Sequence, residues 1–350
     1  MMTRIFADIA LLPVLVSVSS SAGTLVGGGP SWRTRMPRFT FAQVKEETYK
    51  AKDAWWTVFL VDPLAGRLVV WTANRTSITP NQLTLGAGVL GLFSALCFAA
   101  PAFVDGNGRP WLLLGALLFH LSFVLDCMDG KIARLKGTGS VFGSWVDFVF
   151  DRIRFFGCVM ALLLGQWAVT GEVAYLIVAP VVVFFDLLRY LNGTQVAKTR
   201  RSMKQKIAEL TGDTDQLQAV GRSEADPEDD EMADVPERQE GAASTGFYPR
   251  VRDALLRHRV RPHLFSGIEF EMFLCVVAPV TVLVAFFTPL NSLIIPVAVF
   301  SVVALAFFEL VLVLRLWKDT RRFEARRRTL LASRAVGADQ AGVSASGGGS

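Results

Sequence analysis

The sequence has four cysteines, Cys97, Cys127, Cys158 and Cys275, and no two are spaced to pair. It has three histidines and no Cys/His grouping of the kind that holds zinc. A disulfide framework and a soft-metal centre are therefore excluded as organising features. The cysteines read as small buried apolar residues, and His120, alone on an apolar stretch, reads as a packed one. No internal repeat is present. Charge is also scarce, with Asp, Glu, Lys and Arg at 19% of 350 residues against 52% hydrophobic. Residues 76–104, 110–125, 155–171 and 272–308 carry none.

What is present is hydrophobic length. A mean hydropathy of +0.40 is that of a chain that lives in a bilayer. The net charge of +5 does not point to nucleic acid, because Lys and Arg flank the apolar runs, where they set topology and meet anionic lipid. A spanning helix needs about 20 apolar residues. The first run supplies one span, and the second reaches that length through Asp126 and Asp129. A third begins near Val141, and a fourth, 173–185, must continue through Asp186 and Arg189. The run 272–308 is too long for one crossing, so residues 288–291 are expected to turn the chain between spans near 269–287 and 292–315. The expected fold is all-α, a polytopic membrane bundle of six transmembrane helices with an N-terminal interfacial amphipathic helix.

Six segments follow from this pattern. Residues 1–38 have the charged start and short apolar centre of a signal peptide, but cleavage would oppose the charge bias, so an extension without a folded role is expected. Residues 39–75 interleave Trp55, Trp56 and Trp71 with Lys50, Lys52, Arg67 and Arg75, as an interfacial helix does. Spans one to four occupy 76–195. Residues 196–263 form a cytosolic, partly disordered insertion, with basic shoulders around the acidic stretch 224–240. The last two spans occupy 264–317, and 318–350 is a basic, then disordered tail. The Lys and Arg distribution places both termini and the connection between spans two and three in the cytosol, and the protein in the cell membrane.

That connection holds the chemistry. Asp126 and Asp129 lie three apart, followed by Gly130, Ala133 and Arg134, then Gly143, Asp147 and Asp151 at steps of four. Residues three and four apart share a helix face, so two acidic stripes form, and Gly137 and Gly139 let the chain turn back between them. Carboxylates at the edge of a bilayer are costly unless paired or metal-bound, and an oxygen-only cup suits a hard divalent cation.

The spacing D-x2-D-G-x2-A-R-x8-G-x3-D-x3-D, met at every fixed position, resembles the signature of the CDP-alcohol phosphotransferases. The opening of the first span, Thr79-Pro80-Asn81-Gln82-Leu83-Thr84, looks like the T-P-N-x-x-T start of that family. The resemblance implies a membrane enzyme that moves a substituted phosphate group from a CDP-alcohol, CDP-diacylglycerol first among donors, to an alcohol with release of CMP. It implies two divalent ions, Mg²⁺ or Mn²⁺, on Asp126, Asp129 and Asp147, with Asp151 as general base and a possible further ligand. Gly130, Ala133, Gly143 and Asn81 would border the nucleotide and diphosphate, although the small residues also suit close helix packing. Arg134 would clamp the diphosphate or else reach headgroups. Asp186 and Arg189 either pair with one another or shape an acceptor pocket. A homodimer is implied, and the acceptor stays open. The rival class is a cation-coupled transporter, which calls for acids spread over several helices and an internal repeat.

Overall fold

The computed structural model describes residues 39–213, 253–262, 264–286 and 292–346, the side chains of 285–286 and 335–346 excepted. The expectations for residues 1–38, for the acidic middle of the insertion and for the turn at 288–291 lie outside the described residues. Among the described residues all named elements are helical, and the one extended contact is an isolated parallel bridge between Asp53 and Val260.

Each helix starts and stops where the local chemistry requires. Helix α1, Phe41–Thr48, opens with a capping box in which the Thr40 side chain accepts from the Gln43 N–H while Gln43 accepts in return. The chain is then extended at Tyr49 and re-enters helix through a π turn, Thr57–Val61, that leads into α2, Asp62–Arg75, with Pro63 in its first turn. The region 39–75 is thus two helices and a linker, not one continuous helix. The linker is held by its pairing with Val260, which no local pattern announces.

Helix α3, Pro80–Ala99, repeats the capping box with Thr79 and Gln82 and has Pro80 where a missing N–H is harmless. Helix α4, Arg109–Lys136, ends at Gly137, whose φ of +62° is a left-handed cap favoured in a residue without Cβ. Ser140 then caps α5, Val141–Thr170, by accepting from the Gly143 N–H. Helix α6, Ala174–Thr211, runs 16 residues past the boundary expected at 195. Residues 196–211 are rich in Lys, Arg, Gln, Glu, Ala and Leu and hold no Gly or Pro, so nothing stops the helix before Gly212.

Helix α7, Gly267–Met272, passes into a π turn, Phe273–Val277, just before Pro279, and then into Ala278–Val280 and a 3₁₀ segment, Thr281–Phe286. Helix α8, Ile294–Ser346, is 53 residues long, about 80 Å at 1.5 Å per residue. The tail beyond 318, expected to be basic and then disordered, is helical to Ser346, carried by Arg, Glu, Leu and Ala until Gly337.

Five of the described helices are long and apolar enough to cross a membrane: Pro80–Ala102, Arg109–Lys136, Ala174–Thr211, Gly267–Val284 and Ile294–Arg334. The sixth expected span is α5, whose first half carries Asp147, Asp151, Arg152 and Arg154. The core is a layer of Phe98, Phe119, Phe155, Phe270, Leu162 and Leu163, all fully buried between α3, α4, α5 and α7. Leu92, Phe93, Phe184, Phe300 and Phe307 point outward and are exposed, as suits a surface facing lipid.

Candidate active site

The four acids come together because α4 and α5 are joined by a short turn and both pack on α3. The end of α4 presents Asp126 and Asp129, and the start of α5 presents Asp147 and Asp151. One carboxylate oxygen each from Asp126, Asp129 and Asp147 lies within 4.8 Å of the other two. Thr84, one turn into α3, donates to Asp129 Oδ2 at 2.5 Å and fixes that carboxylate. Asp147 Oδ1 is buried and has no hydrogen-bond partner. A buried, orphaned carboxylate oxygen beside two further carboxylates is an arrangement that a hard divalent cation completes, so the donor set fits the ion expected for it.

Asp151 stands one turn beyond Asp147 and accepts from Arg154 Nη2 at 2.5 Å. The other terminal nitrogen of Arg154 lies 3.3 Å from Asp126 Oδ1 and 3.2 Å from Ser122 Oγ. Ser122 in turn donates to the Ala87 carbonyl. The arginine stem crosses α3 at Gly91, where a Cβ would lie 2.5 Å from Arg154 Cγ and 2.7 Å from its Cδ. One guanidinium thus ties Asp126 on one helix to Asp151 on the next. Arg154 had no role in the sequence reading. The available signal was that it is an intramembrane arginine three residues from an acid.

The remaining expected residues divide. Gly130 is open: a Cβ there would meet only Arg134, at 3.7 Å from Nη1. Gly143 is tight, its Cβ position 2.9 Å from Ser140 Oγ, the hydroxyl that caps its N–H. Ala133 is half-buried on the same helix end, and Asn81 is exposed on the first turn of α3, one turn before Thr84. Arg134 sends Nε to the Thr48 carbonyl at 3.2 Å, so α1 anchors it beside Gly130.

Asp186 and Arg189 lie apart from the acid cup, in a second buried ionic group between α5, α6, α7 and α8. Asp186 accepts from Arg152 Nη1 at 3.0 and 3.2 Å. Arg152 also reaches Glu271 at 2.7 Å and lies 3.7 Å over the Tyr190 ring, whose hydroxyl donates to Glu271. Arg189 Nε is 3.7 Å from Glu309 Oε1. Glu271 and Glu309 had no role in the sequence reading, because they sit at the ends of apolar runs.

Residues 77–212, from the approach to α3 to the cap of α6, match the family model described as CDP-alcohol phosphatidyltransferase. A bifunctional IPC transferase and DIPP synthase of Aquifex aeolicus is 34% identical over 116 residues, 32% of this chain and 24% of that protein. A phosphatidylinositol phosphate synthase of Corynebacterium glutamicum is 33% identical over 94 residues, 27% of this chain and 37% of the relative. An archaetidylinositol phosphate synthase of Pyrococcus horikoshii is 28% identical over 102 residues, 28% of this chain and 50% of the relative. The chain spans half the length or less of each of these three relatives. The matched stretch holds all four acids, Thr84, Gly91 and Arg154. Residues 77–212, which build the acid cup, are thus similar to the domain that defines the CDP-alcohol phosphatidyltransferase family.

Proposed function

We propose that the protein is a membrane transferase that moves a substituted phosphate group from a CDP-alcohol to an alcohol acceptor. The observation that carries this reading is the triad of Asp126, Asp129 and Asp147 oxygens within 4.8 Å, inside the stretch that matches the family. Divalent ions held there, Mg²⁺ or Mn²⁺, would neutralise the donor diphosphate and the departing CMP. The chain's own part is placement. Gly130 leaves open space beside the acids, and Arg134, anchored by Thr48, stands at its rim to meet a phosphate. Asp151, held by Arg154, takes the proton of the acceptor hydroxyl. The hydroxyl oxygen then bonds to the phosphorus distal to cytidine, and the bond from that phosphorus to the CMP oxygen breaks.

CDP-diacylglycerol is the donor we assign. The two relatives named as inositol phosphate lipid synthases make an inositol phosphate the first acceptor to try. Positive charge at the helix ends near 134–136, 198–206 and 318–328 favours six spans in the cell membrane, with the acids facing the cytosol. The homodimer belongs to the same proposal. Membranes containing the protein are expected to release CMP from CDP-diacylglycerol when Mg²⁺ or Mn²⁺ and the acceptor are supplied, and to stop on chelation. No release across a panel of polyol and phosphorylated acceptors would favour cation transport instead.

A further inference from the structure

Lys131 stands inside the motif between Gly130 and Ala133, two residues and so about 200° around α4 from Asp129. Its side chain is buried and leads away from the acid cup to Asp62, the first residue of α2, with Nζ 3.0 Å from Oδ1. The other oxygen of Asp62 lies 3.2 Å from Arg259 Nη1. Arg259 comes from beyond the insertion, nearly 200 residues along the chain from Asp62. Its Nε and Nη2 both donate to the Lys50 carbonyl, at 3.0 and 2.7 Å, and its guanidinium lies 4.8 Å from the centre of the Tyr49 ring.

The backbone on either side of Arg259 is pinned as well. The Asp53 N–H donates to the Arg259 carbonyl at 2.8 Å and the Arg261 N–H to the Asp53 carbonyl at 2.9 Å. Arg259 has φ of +63°, a left-handed conformation that a non-glycine residue adopts only when its surroundings enforce it. The Tyr49 hydroxyl, pushed up to about 12 by burial and by Asp62, stays a donor and bonds the Asp62 carbonyl at 2.9 Å. One turn further along α4, Arg134 bonds Thr48. Three segments distant in sequence therefore meet on the side of the catalytic helix that faces away from the acids.

We propose that Arg259 is a positioning residue for the phosphotransfer site, acting through Asp62 and Lys131 to hold the turn of α4 that carries Asp126 and Asp129. The proposal rests on the reading of the acid cluster as a divalent-ion site. Asp62 and Lys131 are both removed from water, so loss of Arg259 strands half the compensation of a shared carboxylate. A turn of α4 released in this way takes Asp126 and Asp129 off the positions that close on Asp147. A metal-ligating constellation tolerates only about 0.5 Å of such movement.

The test uses the full-length protein and Mn²⁺ as the probe. Binding is followed by electron paramagnetic resonance without nucleotide, and CMP release is followed separately as Mn²⁺ is varied. Arg259→Gln is expected to raise the Mn²⁺ half-saturation about tenfold or more in both assays, and Arg259→Lys, which keeps a cation opposite Asp62, to recover most of that shift. Asp62→Asn/Lys131→Met removes the ionic link between Arg259 and α4 altogether and is expected to show the same shift. It serves where Arg259→Gln does not accumulate. Parental Mn²⁺ binding and turnover per folded molecule in either variant overturns the proposal, including when only the yield has fallen. If the parent binds Mn²⁺ but releases no CMP, the transfer reading fails while the resonance signal still tests Arg259. If the parent binds no Mn²⁺, both fall.

Discussion

At the scale of the residue, the acids are separable by what holds them. Asp147 has a buried oxygen without a partner, whereas Asp151 is engaged by Arg154 one turn away. Asp147→Asn should therefore weaken binding of the metal–nucleotide complex itself. Asp151→Asn should keep that binding and lower turnover by the roughly 10²- to 10⁴-fold that loss of a general base produces. Calorimetric titration of CDP-diacylglycerol with Mn²⁺, run beside CMP release, distinguishes the two, and near-parental turnover in Asp151→Asn removes it from the role of base. Gly91 tests Arg154 from the other side. A leucine there needs the space of the arginine stem, so Gly91→Leu should cut CMP release about as deeply as Arg154→Ala, with no acid altered. Equal activity in Gly91→Leu and the parent would show that Arg154 can sit elsewhere without loss.

At the scale of the element, the helices around the site are longer and more interrupted than their apolar runs. Helix α6 runs past the expected membrane boundary to Thr211 and packs there against α8, with Arg200 3.1 Å from Asp319. The two helices thus leave the bundle together, and Arg334 reaches back to the Glu209 carbonyl. Removing residues 320–350 should therefore lower thermal stability of the purified protein while leaving CMP release per folded molecule intact, since no described contact joins that stretch to the acids. Replacing 214–245 with a Gly/Ser linker of similar length should also leave turnover close to the parent, because a polar, acidic stretch with few apolar residues has little to bury against the site. A large loss in correctly inserted protein would show that this segment acts on catalysis. The contrast with Arg259, further along the same insertion, is the informative one.

At the scale of the whole molecule, the acids, Thr84 and the turn at 137–140 share one end of the bundle, and the connection at 103–108 is at the other end of α3 and α4. With the charge bias this puts the two connections on opposite sides of the bilayer. Thr138→Cys and Asp105→Cys sit at exposed positions, while Cys97, Cys158 and Cys275 are buried. In sealed cells, an impermeant maleimide should label Asp105→Cys directly and Thr138→Cys only after the membrane is opened. The reverse pattern would place the acids outside the cytosol.

Much of this was legible in the sequence because it is local. The spacing of Asp126, Asp129, Asp147 and Asp151 is a property of helical periodicity, the apolar runs report a bilayer directly, and Thr79-Pro80-Asn81-Gln82 spells its own helix cap. Helices α6 and α8 outrun their apolar stretches because the charged residues that follow are good helix formers with a partner helix to pack on, which an apolar run does not report. Apart from Asp151 and Arg154, three residues apart, the partners of the charged residues around the site were beyond local reading. Arg154 meets Asp126 across 28 residues and Arg152 meets Glu271 across 119, while Arg259 meets Asp62 across 197. The sequence by itself determined which acids exist and which helix face each occupies. Which cation each buried acid finds was decided only by tertiary packing, because a charge withdrawn from water takes the partner that the fold brings within reach.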